Sequence, residues 1–171
     1  MLLFIGQFGL GIIYGQWVEW ILHKKLHKIG RKRESAFSYH FRSHHRISRQ
    51  NMFFDSSYEG KGEGMRKELR DIVLLFTLHL PVLFFLPAFF VGSIVHGGLY
   101  FFLHRKCHLE PEWCKRYLPW HYDHHMALNQ DANWGVTTDW IDRLMGTREI
   151  YLGTEREKRD TQRRMARQKI S

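Results

Sequence analysis

Residues 72–103 contain no Lys, Arg, Asp or Glu. A run of that length cannot lie on a water-facing surface and must be buried in protein or in lipid. As one helix it would extend about 48 Å, against a bilayer core of about 30 Å, while two complete spans need roughly 40 residues. Pro81 and Pro87 fall inside the run, and each can bend or end a helix. The sequence therefore predicts a helical hairpin broken near Pro81–Pro87. Its arms are short or re-entrant, and both ends return to one face of the membrane.

A second apolar block covers residues 1–22, with no Lys or Arg and Glu19 as its single acid. It is long enough to span. A signal peptide is the competing reading, disfavoured because no basic segment precedes the run and no small-residue cleavage site follows. Trp17 and Trp20 fall where an interfacial aromatic belt would lie, and Lys24, Lys25 and Lys28 follow at once. The positive-inside rule then places the N-terminus outside and residue 23 onward in the cytoplasm.

The mean hydropathy of −0.40 suggests a soluble protein only because it averages over segregated charge. The net charge is +9, and the basic residues crowd into 23–49 and 155–169. The tail, 155–171, reads as a charged helix that is solvated or touches lipid headgroups. No nucleic-acid motif interleaves with the basic runs, so no nucleic-acid partner is expected. The stretch Glu59–Gly64 reads as a flexible loop and not as a phosphate loop. Cys107 and Cys114 form neither a metal pair nor a disulfide framework, and read as reduced thiols in a cytoplasm-facing protein. The expected fold class is all-α: integral membrane helices under a cytoplasmic, histidine-rich helical cap. The chain reads as one domain over 1–171, with membrane segments at about 1–22 and 72–103.

Ten of the 12 histidines fall in four clusters: His23 and His27; His40, His44 and His45; His104 and His108; His121, His124 and His125. The order is a rough duplication: an apolar block, an HxxxH pair, then a His-His cluster, twice over. On a helix, residues i and i+4 share a face, so each HxxxH pair can offer two imidazoles to one centre. Adjacent histidines point about 100° apart, so a His-His pair can serve two centres. One transition metal takes about four to six ligands. Ten imidazoles thus suit two metals with positions left open, as a catalytic centre requires. A lone HxxxH is more often two surface histidines; four clusters in this order, beside membrane segments, are far more specific.

The pattern HKKLH, HFRSHH, HRKCH and HYDHH, followed by NWGVTTDWIDRLMGT, resembles the fatty acid hydroxylase/sterol desaturase superfamily, and within it the fatty acid 2-hydroxylase arrangement of ten histidines. The resemblance runs from His23 to about Thr147. The chain departs from the larger members in having one N-terminal span where they carry a hairpin, and in lacking a fused haem-binding segment.

The resemblance implies a membrane-bound non-haem di-iron oxygenase that uses dioxygen to hydroxylate a lipid, foremost a fatty acyl chain reaching the site from the bilayer. It implies two iron ions on His23, His27, His40, His44, His45, His104, His108, His121, His124 and His125, with no catalytic residue beyond these ligands. It also implies an external electron donor: a small b-type cytochrome, a ferredoxin or a reductase. Imidazole sites favour zinc over ferrous iron on affinity alone, so zinc is expected to be able to take the place of iron in isolated protein. Alternatives within the superfamily are a sterol or carotenoid oxidase or a desaturase; outside it, a non-catalytic membrane metal-binding protein.

Ligating histidines usually donate their other N–H to an acceptor. Asn133 and Asp139, in the resembling segment, are the first candidates; Asp123 and Glu19 follow, each with a surface or capping role as the alternative. Glu19 lies in an apolar span, where an ionisable group is costly. His79 and His96 lie outside the clusters. His96 shares a helical face with His104 and is placed to line a substrate cavity, although a hydrogen-bonded structural role suits both. Phe84, Phe85, Phe89 and Phe90 could shape an acyl tunnel or simply face lipid.

Overall fold

Proline sets the helix boundaries. In this computed structural model, which describes residues 1–168, three of the four prolines open helices. These are α4 (Pro87–Leu109), α5 (Pro111–Tyr117) and α6 (Pro119–Met126). The residue before a proline is driven out of the helical region. Leu86, Glu110 and Leu118 accordingly have φ of −136°, −129° and −132°. The proline then takes the first helical turn, where its missing N–H costs nothing.

Eight α-helices and no strand occur among the described residues. The expected hairpin is α3 (Glu63–Phe85) followed by α4, broken at Leu86. Pro81 is carried inside α3, and the arms are longer than the uncharged run suggested, because each helix continues into polar sequence. α4 is the helix among the described residues that is long and apolar enough to cross a membrane. α1 (Leu2–Gly30) also runs on past its apolar part, so Glu19, His23 and His27 all sit on one helix.

α1 packs along α4 at close range. A methyl group on Gly11 would meet the Phe89 carbonyl oxygen at 2.1 Å, and one on Gly92 would meet the Phe8 carbonyl oxygen at 2.2 Å. Small residues that let backbones touch are a membrane-helix contact mode. The outer surfaces carry exposed Leu3, Ile5, Leu78, Phe84, Phe85 and Phe102, as a lipid-facing surface would.

The polar segments fold into a cap over the charged-sequence ends of α1, α3 and α4. It comprises α2 (His45–Gln50), α5, α6, α7 (Trp140–Leu144) and α8 (Glu155–Gln168). The tail is therefore helical to Gln168; the last residues of the expected 155–171 segment lie outside the described ones. Phe53, Cys107, Cys114, Leu118, Tyr122 and Met126 form the cap's apolar core. Both cysteines are free and buried. The Glu59–Gly64 stretch is shaped rather than loose at its end, since Gly62 caps α3 and its N–H donates to the Glu59 carbonyl at 2.9 Å.

Candidate metal centre

The HxxxH pairs sit at the cap ends of α1 and α4. Helical spacing turns both rings of each pair the same way. The next cluster departs from α geometry: His40–His44 form a π-helical turn, in which the His45 N–H bonds to the His40 carbonyl. That wider turn brings His40 and His45, five residues apart, to one side and leaves His44 on the other. Single π turns inside helices often mark functional sites.

Two sets of ring nitrogens result. His23, His27, His40, His45 and His124 offer ligand atoms that all lie within 4.8 Å of one another, and so do His44, His104, His108 and His125. His121 stands beside the second set, with Nε2 3.1 Å from His108 Nε2. All ten sequence-identified histidines thus converge, five about each centre. The sets abut where the His45 and His125 rings stack at 4.1 Å.

Fixed acceptors orient the rings. Nδ1 of His23 donates to the Trp134 carbonyl at 2.6 Å, and Nδ1 of His124 to the Ala132 carbonyl at 2.6 Å. Nδ1 of His108 donates to the Phe53 carbonyl at 3.2 Å. Phe53 has a φ of 84°, a backbone state that a bulky residue rarely adopts. Nδ1 of His44 meets Asp55 Oδ2 at 2.7 Å, and Asp55 is itself fixed by the Ser57 N–H at 2.9 Å. The Glu68 carboxylate lies 2.8 Å from His104 Nδ1 but off the line of a hydrogen bond.

A carbonyl oxygen only accepts, so each Nδ1 facing one carries the proton and each opposite Nε2 is a bare lone pair. The Nε2 atoms of the first set crowd together. His27 Nε2 is 3.0 Å from His45 Nε2 and 3.1 Å from His124 Nε2. Nε2 of His23, His44, His104 and His125 is buried with no hydrogen-bond partner. Burial holds His40, His44, His45, His121, His124 and His125 below the ordinary histidine range, and so neutral. Neutral imidazoles with converging lone pairs fit a bound cation and little else.

The four expected acceptors, Asn133, Asp139, Asp123 and Glu19, act at one remove. Asp123 takes Arg148 at 2.8 Å and the Leu152 N–H at 2.7 Å. Asn133 takes Arg148 at 3.0 Å and the Glu149 N–H at 2.8 Å, with a φ of 58° that Asn tolerates. Asp139 takes Arg143 and Arg148. Glu19 holds the Val136 and Thr137 N–H groups. Together with Asp142, which binds Trp20, Trp134 and Gly135, they brace the loop that delivers the Trp134 and Ala132 carbonyls. The groups that hydrogen-bond the ring Nδ1 atoms are Asp55, the three backbone carbonyls and, at 3.4 Å from His108, the Ser48 hydroxyl, while Glu68 stands in ion-pair range of His104. Only Asp55 had a visible signal, as the capping residue ahead of Ser56-Ser57.

A cavity of about 150 Å³ lies between α1, α3 and α4 and reaches His23, His40 and His44, so it touches both sets. Val18, Leu22, Ile72, Leu75 and Phe76 line it, with His96; Phe84, Phe85, Phe89 and Phe90 are not among its walls.

No curated protein and no solved structure matches the chain. The family model for fatty acid hydroxylase matches residues 8–147, a span holding all ten converging histidines and the braced loop. On that match and this site, the chain belongs to the fatty acid hydroxylase family, within the fatty acid hydroxylase/sterol desaturase superfamily.

Proposed function

We propose that this protein is a membrane-bound, non-haem di-iron oxygenase that hydroxylates a lipid, foremost a fatty acyl chain, using dioxygen and electrons from an external donor. The carrying observation is that two abutting sets of closely gathered imidazoles open onto one largely apolar cavity. Membership of the family supports an oxidoreductase working at a membrane on lipid.

A pair of bound iron ions would supply dioxygen activation toward an unactivated C–H bond, which redox-silent zinc does not. The ten histidines would hold the ions. Carbonyl acceptors at Trp134, Ala132 and Phe53 keep the Nδ1 protons in place and aim each Nε2 inward. The apolar walls seat the chain and exclude water, which strengthens every polar interaction inside. The donor, a small b-type cytochrome, a ferredoxin or a reductase, would meet the basic cap on the cytoplasmic face, with the N-terminus outside.

Comparative lipid mass spectrometry of cells with and without the protein tests this reading. A hydroxylated lipid should appear with the wild type and vanish with a His124→Ala variant that still inserts. Identical lipid profiles, or full metal loading with no dioxygen consumption in the presence of reductant and lipid, would favour a non-catalytic metal-binding protein.

A further inference from the structure

α6 is eight residues long and carries His121, His124 and His125. A helix that short does not hold its shape alone, and its last carbonyls find no partner within the helix. Two guanidinium groups take the carbonyls at its end. Arg49, four residues after His45 on α2, donates to the His125 carbonyl at 2.9 Å and to the Ala127 carbonyl at 2.5 Å. Arg164, on α8, donates to the Met126 carbonyl between them at 2.8 Å. The helix dipole favours positive charge at this end as well.

α8 lies outside the family-matched residues 8–147, and its charge pattern reads as that of a solvated tail. One of its faces is nevertheless docked. Glu157, Asp160 and Arg164 are three and four residues apart, and so share that face. Glu157 accepts from the Tyr122 hydroxyl of α6 at 3.0 Å and from the Gly153 N–H at 2.7 Å. Asp160 accepts from the Tyr151 hydroxyl at 3.2 Å, and Tyr151 belongs to the apolar core of the cap. Nη1 of Arg164 is buried with no hydrogen-bond partner, so this end of the guanidinium is seated in protein and not in water.

His125 depends most on this anchorage. Neither of its ring nitrogens has a hydrogen-bond partner. Its neighbour His124 is fixed separately, through Nδ1, by the Ala132 carbonyl at 2.6 Å. The His125 ring is therefore aimed by its backbone, and Arg49 and Arg164 hold that backbone. His125 serves the second set, and His124 the first.

We propose that Arg164 is a positioning residue for His125, so that the tail helix α8 sets the metal affinity of the second set and spares the first. This rests on the two-centre metal reading of the site.

Cobalt(II) titration of the whole metal-free protein in nanodiscs, against a competing chelator, tests it. His23→Ala leaves the second set whole, and His104→Ala leaves the first. Adding Arg164→Gln should weaken cobalt binding about ten-fold in the His23→Ala chain and leave it unchanged in the His104→Ala chain. Arg164→Lys keeps the charge and a donor for the one carbonyl, and should restore most of the affinity. Equal weakening in both chains would make Arg164 a general brace and overturn the proposal; so would no weakening in either. Amide hydrogen exchange reads the same anchor with no ion present. In the metal-free chain, Arg164→Gln alone should quicken exchange over residues 125–127 about ten-fold and leave α4 as it was. Unchanged exchange at 125–127, or equal quickening in α4, would overturn the proposal even in a chain that takes up no cobalt. Failure to take up cobalt would by itself count only against the two-centre reading.

Discussion

His44 and His45, neighbours in the chain, belong to different imidazole sets, and their rings stand 5.7 Å apart at 84°. His124 and His125 divide in the same way, at 5.2 Å and 89°. The two His-His pairs are thus the seam of the site. Each sends one ring to the centre anchored on α1 and the other to the centre anchored on α4, in opposite chain order in the two pairs.

That division predicts separable losses. His45→Ala should weaken metal binding at the set containing His23 and His27, and His44→Ala at the set containing His104 and His108. Each variant should lose about one ion per chain by elemental analysis, on the two-ion reading. Loss of all metal from both variants would mean that the sets do not bind independently.

Asp55→Ala removes the fixed carboxylate behind His44. Removing such a partner of a metal ligand typically costs 10–100-fold in metal affinity, measurable by chelator competition. Asp55→Asn has one acceptor oxygen for two donors, the Ser57 N–H and the His44 Nδ1–H, so it should keep the fold of the turn while still losing most of the affinity that Asp55→Ala loses.

Stability should fall in acid. His40, His44, His45, His121, His124 and His125 are all held below the ordinary value of 6.5 by burial. Above that pH both folded and unfolded chains are neutral at these sites, and stability is flat. Below it the unfolded chain takes up protons that the folded one refuses, so stability drops. The slope approaches about 1.4 kcal/mol per pH unit for each such histidine. Melting temperatures of metal-free protein in nanodiscs should be level from about pH 8 to 7 and fall steeply below about 6.5.

Arg148 joins Asp123, Asn133 and Asp139 behind the loop that positions the Trp134 and Ala132 carbonyls. Asp123 is 1% exposed, so Arg148→Ala strands a buried carboxylate. The expected cost is about 3 kcal/mol of stability, read as a lowered melting temperature. Arg148→Lys should recover only part, because one ammonium cannot span the planar set of acceptors.

Much of this was legible in the sequence, where residue type or spacing carries a signature. The uncharged run and its prolines predicted the α3–α4 hairpin, and the clustered histidines predicted converging ligands. Pro81 was weighed as a break and is not one; Leu86 is, because Pro87 follows it. The π turn over His40–His44 has no residue signature, so the pairing of His40 with His45 instead of His44 was hidden. The Trp134, Ala132 and Phe53 carbonyls were hidden for a simpler reason: every residue has a carbonyl, and only the fold selects these. Glu68 lies far from the histidine clusters in sequence and reaches His104 only because α3 packs on α4.

Metal counting on iron-grown, purified protein, joined to X-ray absorption at the metal edge, tests the central claim most directly. The account predicts two ions per chain in a shell dominated by imidazole nitrogen, both lost when His27, His45, His108 and His125 are replaced by alanine together. One ion or none in correctly folded wild type, or a shell dominated by sulfur or carboxylate, would contradict it.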